Sequence, residues 1–256
     1  MAEFGLPRSD DPFDFRRQAG TYGTFRRDYS TALYDAVTAH AGAADGRRAI
    51  DLGCGTGFVT AALAERGWRV VGCDFSMPML FAARARGRPR VRARAEAIGV
   101  RNGTAALLTC GTAFHWFAPL PALAEIERVL VPGGSAALFW RYPHPDARTV
   151  SLVGEVLSAV NPDVPRAMWT FKVHAPAPFE GSGLIAAKPM RLDTTLAWTA
   201  ETFHGYAATV EWYRRLAGAR RAEFLDRLRA ALEAEYPAGF EEPNQEFLFL
   251  ARKPAA

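Results

Sequence analysis

The segment Ala49-Ile50-Asp51-Leu52-Gly53-Cys54-Gly55-Thr56-Gly57 holds the residues whose types and spacing bear most directly on chemistry. A short apolar run ends in an acid, followed by three glycines at alternate positions. Glycine lets the backbone turn sharply from strand to helix and lets a ligand approach the main chain closely. The helix that follows offers unpaired N–H groups to an anionic group. A G-x-G-x-x-G dinucleotide turn would need glycine where Phe58 stands, and a G-K-S/T phosphate loop would need a lysine that is absent nearby. A glycine-rich turn without a ligand is the other reading of the same residues.

Two further side chains stand where a strand should end. Asp74 closes the run Val70-Val71-Gly72-Cys73, and a carboxylate there can accept two hydrogen bonds from the vicinal hydroxyls of a ribose. Its alternative role is to cap the next helix, for which Ser76 is the better candidate because Pro78 suits an early helical position. His115 follows the run Ala105–Cys110. A neutral imidazole with an ordinary pKa near ~6.5 could take a proton from an O–H or N–H group; His115 and Trp116 could equally be a packing pair. The cysteines Cys54, Cys73 and Cys110 are odd in number and form no C-x-x-C pair, and His144, His174 and His204 show no ligand spacing. Neither a disulfide framework nor a metal site is expected, and a reducing compartment fits.

These groups need a frame that brings strand ends together. Strands are expected at Ala49–Leu52, Arg69–Cys73, Val91–Ala95, Ala105–Cys110, Ser135–Trp140, Met190–Trp198 and Glu246–Ala251. Helices are expected at Thr31–Ala41, Phe58–Arg66, Pro78–Arg86, Leu120–Leu130, Val150–Val160, Ala200–Leu216 and Arg221–Tyr236, with Gly67 and Gly87 as stops and Pro132-Gly133-Gly134 as a turn. Alternation over residues 48–140 implies βαβ units and a mostly parallel sheet. Residues 162–183 are rich in proline and glycine.

The chain has 256 residues, 49% apolar and 23% charged, with a net charge of +4. That composition excludes a disordered or fibrous chain. No apolar run approaches the roughly 18 residues of a membrane span, and no signal-peptide core opens the chain, so a cytoplasmic location is expected. Arginines fall on every second position from Arg84 to Arg94. A nucleic-acid strip would want interleaved aromatics, which are missing; charges on an edge strand that deter pairing explain the pattern better.

Asp51–Gly57, Asp74–Leu80, Ala95-Glu96, Ala113–Phe117 and Val129–Gly134 together resemble the class I S-adenosylmethionine-dependent methyltransferases, and more narrowly the small-molecule type 11 family with its ubiquinone-pathway and trans-aconitate-like members. The resemblance implies an α/β fold, a Rossmann-like seven-stranded mostly parallel sheet with flanking helices and a helical cap. It implies an N-terminal helical lid over 1–45, a catalytic domain over 46–140 and 184–256 with cap helices at about 200–236, and a substrate-cap insertion at 141–183. S-adenosyl-L-methionine would be held by Asp51, Gly53, Cys54, Gly55 and Gly57 at its methionine part, and by Asp74 at the ribose. Phe75, Ser76, Met77, Ala95 and Glu96 would lie near the adenine, and Thr109, Cys110 and Gly111 would pass beneath. Arg94 stands where the family has an acidic or small residue. In the stretch Tyr22–Tyr29, Tyr22 and Arg26 match a lid, with Arg26 on the methionine carboxylate; a helix with Arg26 in water is the alternative. Catalytic candidates are His115 and Tyr22, and substrate-binding candidates are His115, Trp116, Trp140, Tyr206 and Tyr213, the last two on one helix face with Thr209. The implied activity is methyl transfer to an O, N or C atom of a small molecule by a monomer or homodimer, without nucleic acid or membrane. Cyclisation or rearrangement on the same fold, and nucleic-acid methylation, are the alternatives.

Overall fold

The computed structural model describes residues 19–83, 87–162, 177–210, 213, 216 and 218–255. Residues 1–18 of the expected lid, the end of the 78–86 helix, and most of the 162–183 stretch with Trp169, Phe171 and His174 lie outside them, as does Trp212. Among the described residues, eight strands form one sheet: β1 (Arg48–Leu52), β2 (Arg69–Asp74), β3 (Arg90–Arg92), β4 (Ala105–Gly111), β5 (Leu130–Pro143), β6 (Ile185–Ala186), β7 (Met190–Trp198) and β8 (Phe240–Arg252). The order is β3-β2-β1-β4-β5-β8-β6, with β7 paired to β8. The pairings β1–β2, β1–β4, β2–β3 and β4–β5 are parallel. The helices are α1 (Ala19–Phe25), α2 (Thr31–Ala41), α3 (Phe58–Glu65), α4 (Met77–Ala82), α5 (Pro119–Val129), α6 (Arg148–Val160), α7 (Ala200–Ala207) and α8 (Gly218–Glu235).

Four expectations are corrected. The sheet has an eighth strand, β6, which pairs antiparallel through Ile185↔Arg252 and Ala186↔Ala251; two exposed residues carry no period that a sequence pattern could reveal. The third strand stops at Arg92, because Ala97 N–H turns back to donate to the Arg94 carbonyl at 3.2 Å. Pro132-Gly133-Gly134 is an interruption inside β5 rather than a turn before it. The register jumps there from Ala105↔Leu130 to Leu107↔Ser135, and the extra residues are pinned when Gly133 N–H donates to the Lys253 carbonyl and Lys253 N–H to that of Gly134. Finally, α7 ends at Ala207, since the N–H and hydroxyl of Thr209 both donate to the Tyr206 carbonyl and close a turn. Tyr206 and Tyr213 therefore do not share a continuous helix.

The chain divides into two compact units. One comprises Asp28–Arg141, Val173–Thr194 and Gln245–Ala256. Its core packs α2 and α3 onto the sheet through Leu33, Tyr34, Val37, Leu63, Leu107, Phe139 and Leu248. β4 is buried along almost its whole length, as expected of a parallel strand between two others. The other unit comprises Met1–Arg27, Tyr142–Lys172 and Thr195–Asn244. Its core joins α6, α7 and α8 through Leu157, Phe203, Phe224, Leu228 and Leu232, with Trp198 of β7. A buried glutamate, Glu242, organises its strand end by accepting from the Thr149 hydroxyl at 2.5 Å and the Trp198 indole at 3.1 Å.

Candidate functional site

The parallel register lays β1, β2 and β4 side by side, with Asp51 opposite both Gly72 and Thr109. The glycine loop leaves the end of β1 and is fastened at once to β2. Gly53 N–H and Cys54 N–H both donate to the Cys73 carbonyl, at 2.7 and 3.0 Å. Gly53, Gly55 and Gly57 all have positive φ, at 67°, 52° and 84°. At Gly53 the need is double, because a Cβ would also lie 2.4 Å from that of Ala113. Gly57 then begins α3 without a side-chain cap.

Asp74 closes the construction. Its Oδ2 accepts from Gly55 N–H at 2.8 Å and its Oδ1 from Ser76 N–H at 2.7 Å. A carboxylate offers about four lone-pair sites, more than these two donors use. Burial raises its pKa, opposed by these backbone donors. The alternative for Asp74 as a helix cap is thus partly realised: it takes the N–H of Ser76, while the Ser76 side chain makes no capping bond. The buried Ser76 hydroxyl has no hydrogen-bond partner among the described residues.

The expected ligand-contact residues are placed as follows. Asp51 is only 1% exposed; its carboxylate accepts from Thr60 Oγ1 at 2.6 Å and Thr109 Oγ1 at 3.2 Å. It braces the loop from beneath. Thr109 and Cys110 are interior as well, and a Cβ on Gly111 would strike the rings of Phe139 and Tyr29. Cys54 is half-buried beside the loop, its thiol pKa raised by burial, and burial pushes that of Cys73 up to about 12. Ala95 is buried, and Glu96 accepts from Ala118 N–H at 2.9 Å, which caps α5. Phe75 carries the guanidinium groups of Arg92 and Arg94, 4.9 and 4.5 Å from its ring centre. Met77 is exposed at the start of α4.

Trp140 is fully buried, and its indole N–H donates to His115 Nδ1 at 3.2 Å. His115 sits with Trp116 in a single 3-10 turn, Phe114–Trp116, the two rings 5.0 Å apart. In the second unit, Arg26 is not a solvated side chain. It donates to Thr209 Oγ1 at 2.9 Å and to the Thr209 carbonyl at 3.2 Å, with its guanidinium over the rings of Tyr22 and Tyr206. Tyr206 also packs on Trp198, and Tyr213 on Phe224. Among the described residues no cluster of three His, Cys, Asp or Glu could hold a metal, and no helix is long and apolar enough to cross a membrane.

Tyr29, which ends the expected lid stretch, meets a residue the sequence did not single out, Thr112. Thr112, just past β4, has φ 49°, an uncommon state for a β-branched residue. It is held there by its own N–H to the Phe139 carbonyl at 2.7 Å and by a 2.6 Å bond between its hydroxyl and that of Tyr29. Only an unexpected conformation marks it, and composition carries no sign of that.

An α/β sheet with a glycine loop after its first strand and an acid at the end of its second is an arrangement common to nucleoside-binding domains. Residues 50–138 match the family model described as a methyltransferase domain, of type 11. An uncharacterised methyltransferase of Mycobacterium tuberculosis is 32% identical over 152 residues, covering 59% of this chain and 61% of that protein. The malonyl-[acyl-carrier protein] O-methyltransferase of Serratia marcescens is 34% identical over 47% of this chain and 48% of its own. The chain thus spans less than two thirds of the length of these relatives. A solved candidate type II methyltransferase from Anaeromyxobacter dehalogenans shares the fold, with a TM-score of 0.63, 22% identity, and coverage of 91% of this chain and 100% of that one. Geranyl diphosphate C-methyltransferase from Streptomyces coelicolor does so at a TM-score of 0.54 and 14% identity, over 96% and 100% of the two chains.

The buried acid under the loop has a measurable signature. Burial raises the pKa of Asp51 from 3.8 to about 7, against the donors Thr60 and Thr109. Between those values the folded chain binds a proton that the unfolded chain has released, so this group makes stability fall as pH rises through the window and level off above it. Asp51→Asn can still pair with both threonines but lacks that slope. Thermal melts at pH 5 and pH 8 should show the variant gaining on the wild type by roughly 3 kcal/mol, at about 1.4 kcal/mol per unit. Parallel slopes would mean that Asp51 ionises as it does in water.

Proposed function

We propose that the protein transfers the methyl group of S-adenosyl-L-methionine to an O, N or C atom of a small molecule. The observation that carries this reading is Asp74: its Oδ2 holds the glycine loop through Gly55 N–H, its Oδ1 takes the N–H of Ser76 at the start of α4, and the carboxylate ends β2 beside the loop, where it can accept from the hydroxyls of a ribose. Two more observations fit the nucleoside: the unpartnered, buried Ser76 hydroxyl beside that carboxylate, and open space at the Cβ direction of Gly55, where a ligand can lie on the backbone. The type 11 match supports the same donor, and the Streptomyces enzyme with this fold is seen with S-adenosyl-L-homocysteine. A small-molecule acceptor agrees with the geranyl diphosphate bound to that enzyme.

When bound, the donor supplies a methyl group on a cationic sulfur, already activated. What remains for the chain is to hold and align. Asp74 orients the ribose, Gly53–Gly57 shape the bed for the amino-acid part, and Asp51, closed in by Thr60 and Thr109, stiffens that bed from below. Alignment of this kind can account for much of a methyl-transfer rate.

The test uses the purified chain stripped of bound nucleoside. Calorimetry with S-adenosylmethionine and S-adenosylhomocysteine should register binding, and a tritiated methyl donor should label at least one of a panel of phenols, amines and carboxylic acids. Absence of heat with either nucleoside overturns the reading.

A further inference from the structure

We infer that His115 serves the transfer as a hydrogen-bond donor through Nε2, locked in that tautomer by Trp140, and not as the proton acceptor; the inference rests on the methyl-transfer reading above. An indole nitrogen only donates. Trp140 Nε1 lies 3.2 Å from His115 Nδ1, so the lone pair of Nδ1 is the acceptor of that bond. Trp140 has little freedom to turn its N–H elsewhere. It is fully buried within β5, and its ring meets Phe249 edge to face at 5.7 Å.

His115 is fixed from its own side too. The turn that bears it is closed by Trp116 N–H to the Ala113 carbonyl at 3.0 Å and Phe117 N–H to the Phe114 carbonyl at 3.1 Å. The Trp116 ring flanks the imidazole at 5.0 Å. A neutral imidazole carries one proton. With Nδ1 accepting, that proton is on Nε2.

Two consequences follow for the chemistry. Nε2 has no lone pair with which to receive a proton. Nδ1 has one, but can offer it only by leaving a buried indole N–H unpaired, which is unfavourable. Whatever meets Nε2 therefore meets a donor, and any proton on the methyl acceptor leaves for another group or for water. His115 is in this sense a positioning residue, suited to an acceptor that presents an oxygen or nitrogen lone pair.

The tautomer can be read without turnover. Long-range proton–nitrogen spectra of the whole chain labelled with 15N-histidine distinguish a protonated from an unprotonated ring nitrogen, and loss of a signal in His115→Gln assigns it among the five histidines. The expected result near neutral pH is protonated Nε2 and bare Nδ1, with a mixture of tautomers in Trp140→Phe. Protonated Nδ1 in the wild type, or a ring averaging both forms, overturns the inference even if the chain methylates its substrate. Kinetics supply a second reading. Loss of a general base lowers kcat by ~10²–10⁴, whereas His115→Gln keeps a donor and should stay within about tenfold of the wild type, well above His115→Leu. A glutamine variant that folds and is as slow as the leucine variant also overturns it. The spectra are independent of whether a methyl group is ever transferred, so failure of this inference and failure of the proposed function are distinguishable.

Discussion

Replacing Glu246 with alanine is expected to destabilise the protein by about 3–5 kcal/mol, the usual consequence of breaking a buried ion pair from one side. Glu246 is fully buried in β8. Its Oε1 accepts from Arg141 Nε at 3.0 Å, Arg141 Nη2 at 2.9 Å and Ser30 N–H at 3.0 Å, and its Oε2 accepts from the Ser30 hydroxyl at 2.5 Å. Alanine leaves a mostly buried guanidinium without its counter-charge and removes the acceptor of the Ser30 N–H at the start of α2. Against a typical total of 5–15 kcal/mol for a domain, that is a large share. Glu246→Gln separates charge from hydrogen bonding. Its carbonyl can replace Oε1 and its amide can donate to the Ser30 hydroxyl, so only the lost counter-charge of Arg141 remains and the loss should be smaller than in the alanine variant. Urea titration at neutral pH measures both. Equal losses in the two variants would show that the charge is what matters.

The same pair bears on the candidate site. The Arg141 guanidinium also lies 4.9 Å from the ring centre of Tyr29 and donates to the Asp28 carbonyl. Tyr29 in turn packs edge to face on Phe139 at 4.7 Å and holds the strained Thr112 at the end of β4. None of this is visible as a local pattern. Ser30 and Glu246 are 216 residues apart, and an isolated glutamate in an otherwise apolar strand reads only as a surface position. Long-range polar pairs of this kind are what local periodicity cannot carry.

What periodicity does carry came through well. Met190–Trp198 was expected as a strand from its alternation, and β7 has those limits. Thr31–Ala41 was expected as a helix, and α2 has those limits too. Errors gathered where a hydrogen bond from elsewhere decides the backbone: at Pro132–Gly134, held by Lys253, and at Thr209, which closes α7. Within the candidate site, the meeting of Asp74 with the glycine loop was legible, because neighbouring parallel strand ends follow from the spacing. Asp51, Thr109, Cys110 and Trp140 are buried, a property their sequence spacing does not reveal. A parallel strand covered on both faces gives no alternation to say which side chains meet a ligand.

Asp74→Ala is expected to weaken binding of S-adenosylhomocysteine by about 100-fold or more, read by calorimetry. A carboxylate hydrogen bond contributes roughly 1.5–3 kcal/mol, and each 1.4 kcal/mol is tenfold in affinity. The substitution removes both acceptors proposed for the ribose, and also the acceptor of Gly55 N–H that fastens the loop and that of Ser76 N–H at the start of α4. The two contributions can be separated by editing the ligand instead of the protein. An analogue lacking the ribose hydroxyls should bind the wild type much more weakly than the parent nucleoside does. In Asp74→Ala, parent and analogue should bind alike, since the hydroxyls no longer have a partner to lose. Such a cycle isolates the pairwise contact from damage to the loop, which weakens both ligands equally. If the variant still distinguishes parent from analogue as strongly as the wild type does, Asp74 serves the loop alone and the ribose is held by other groups.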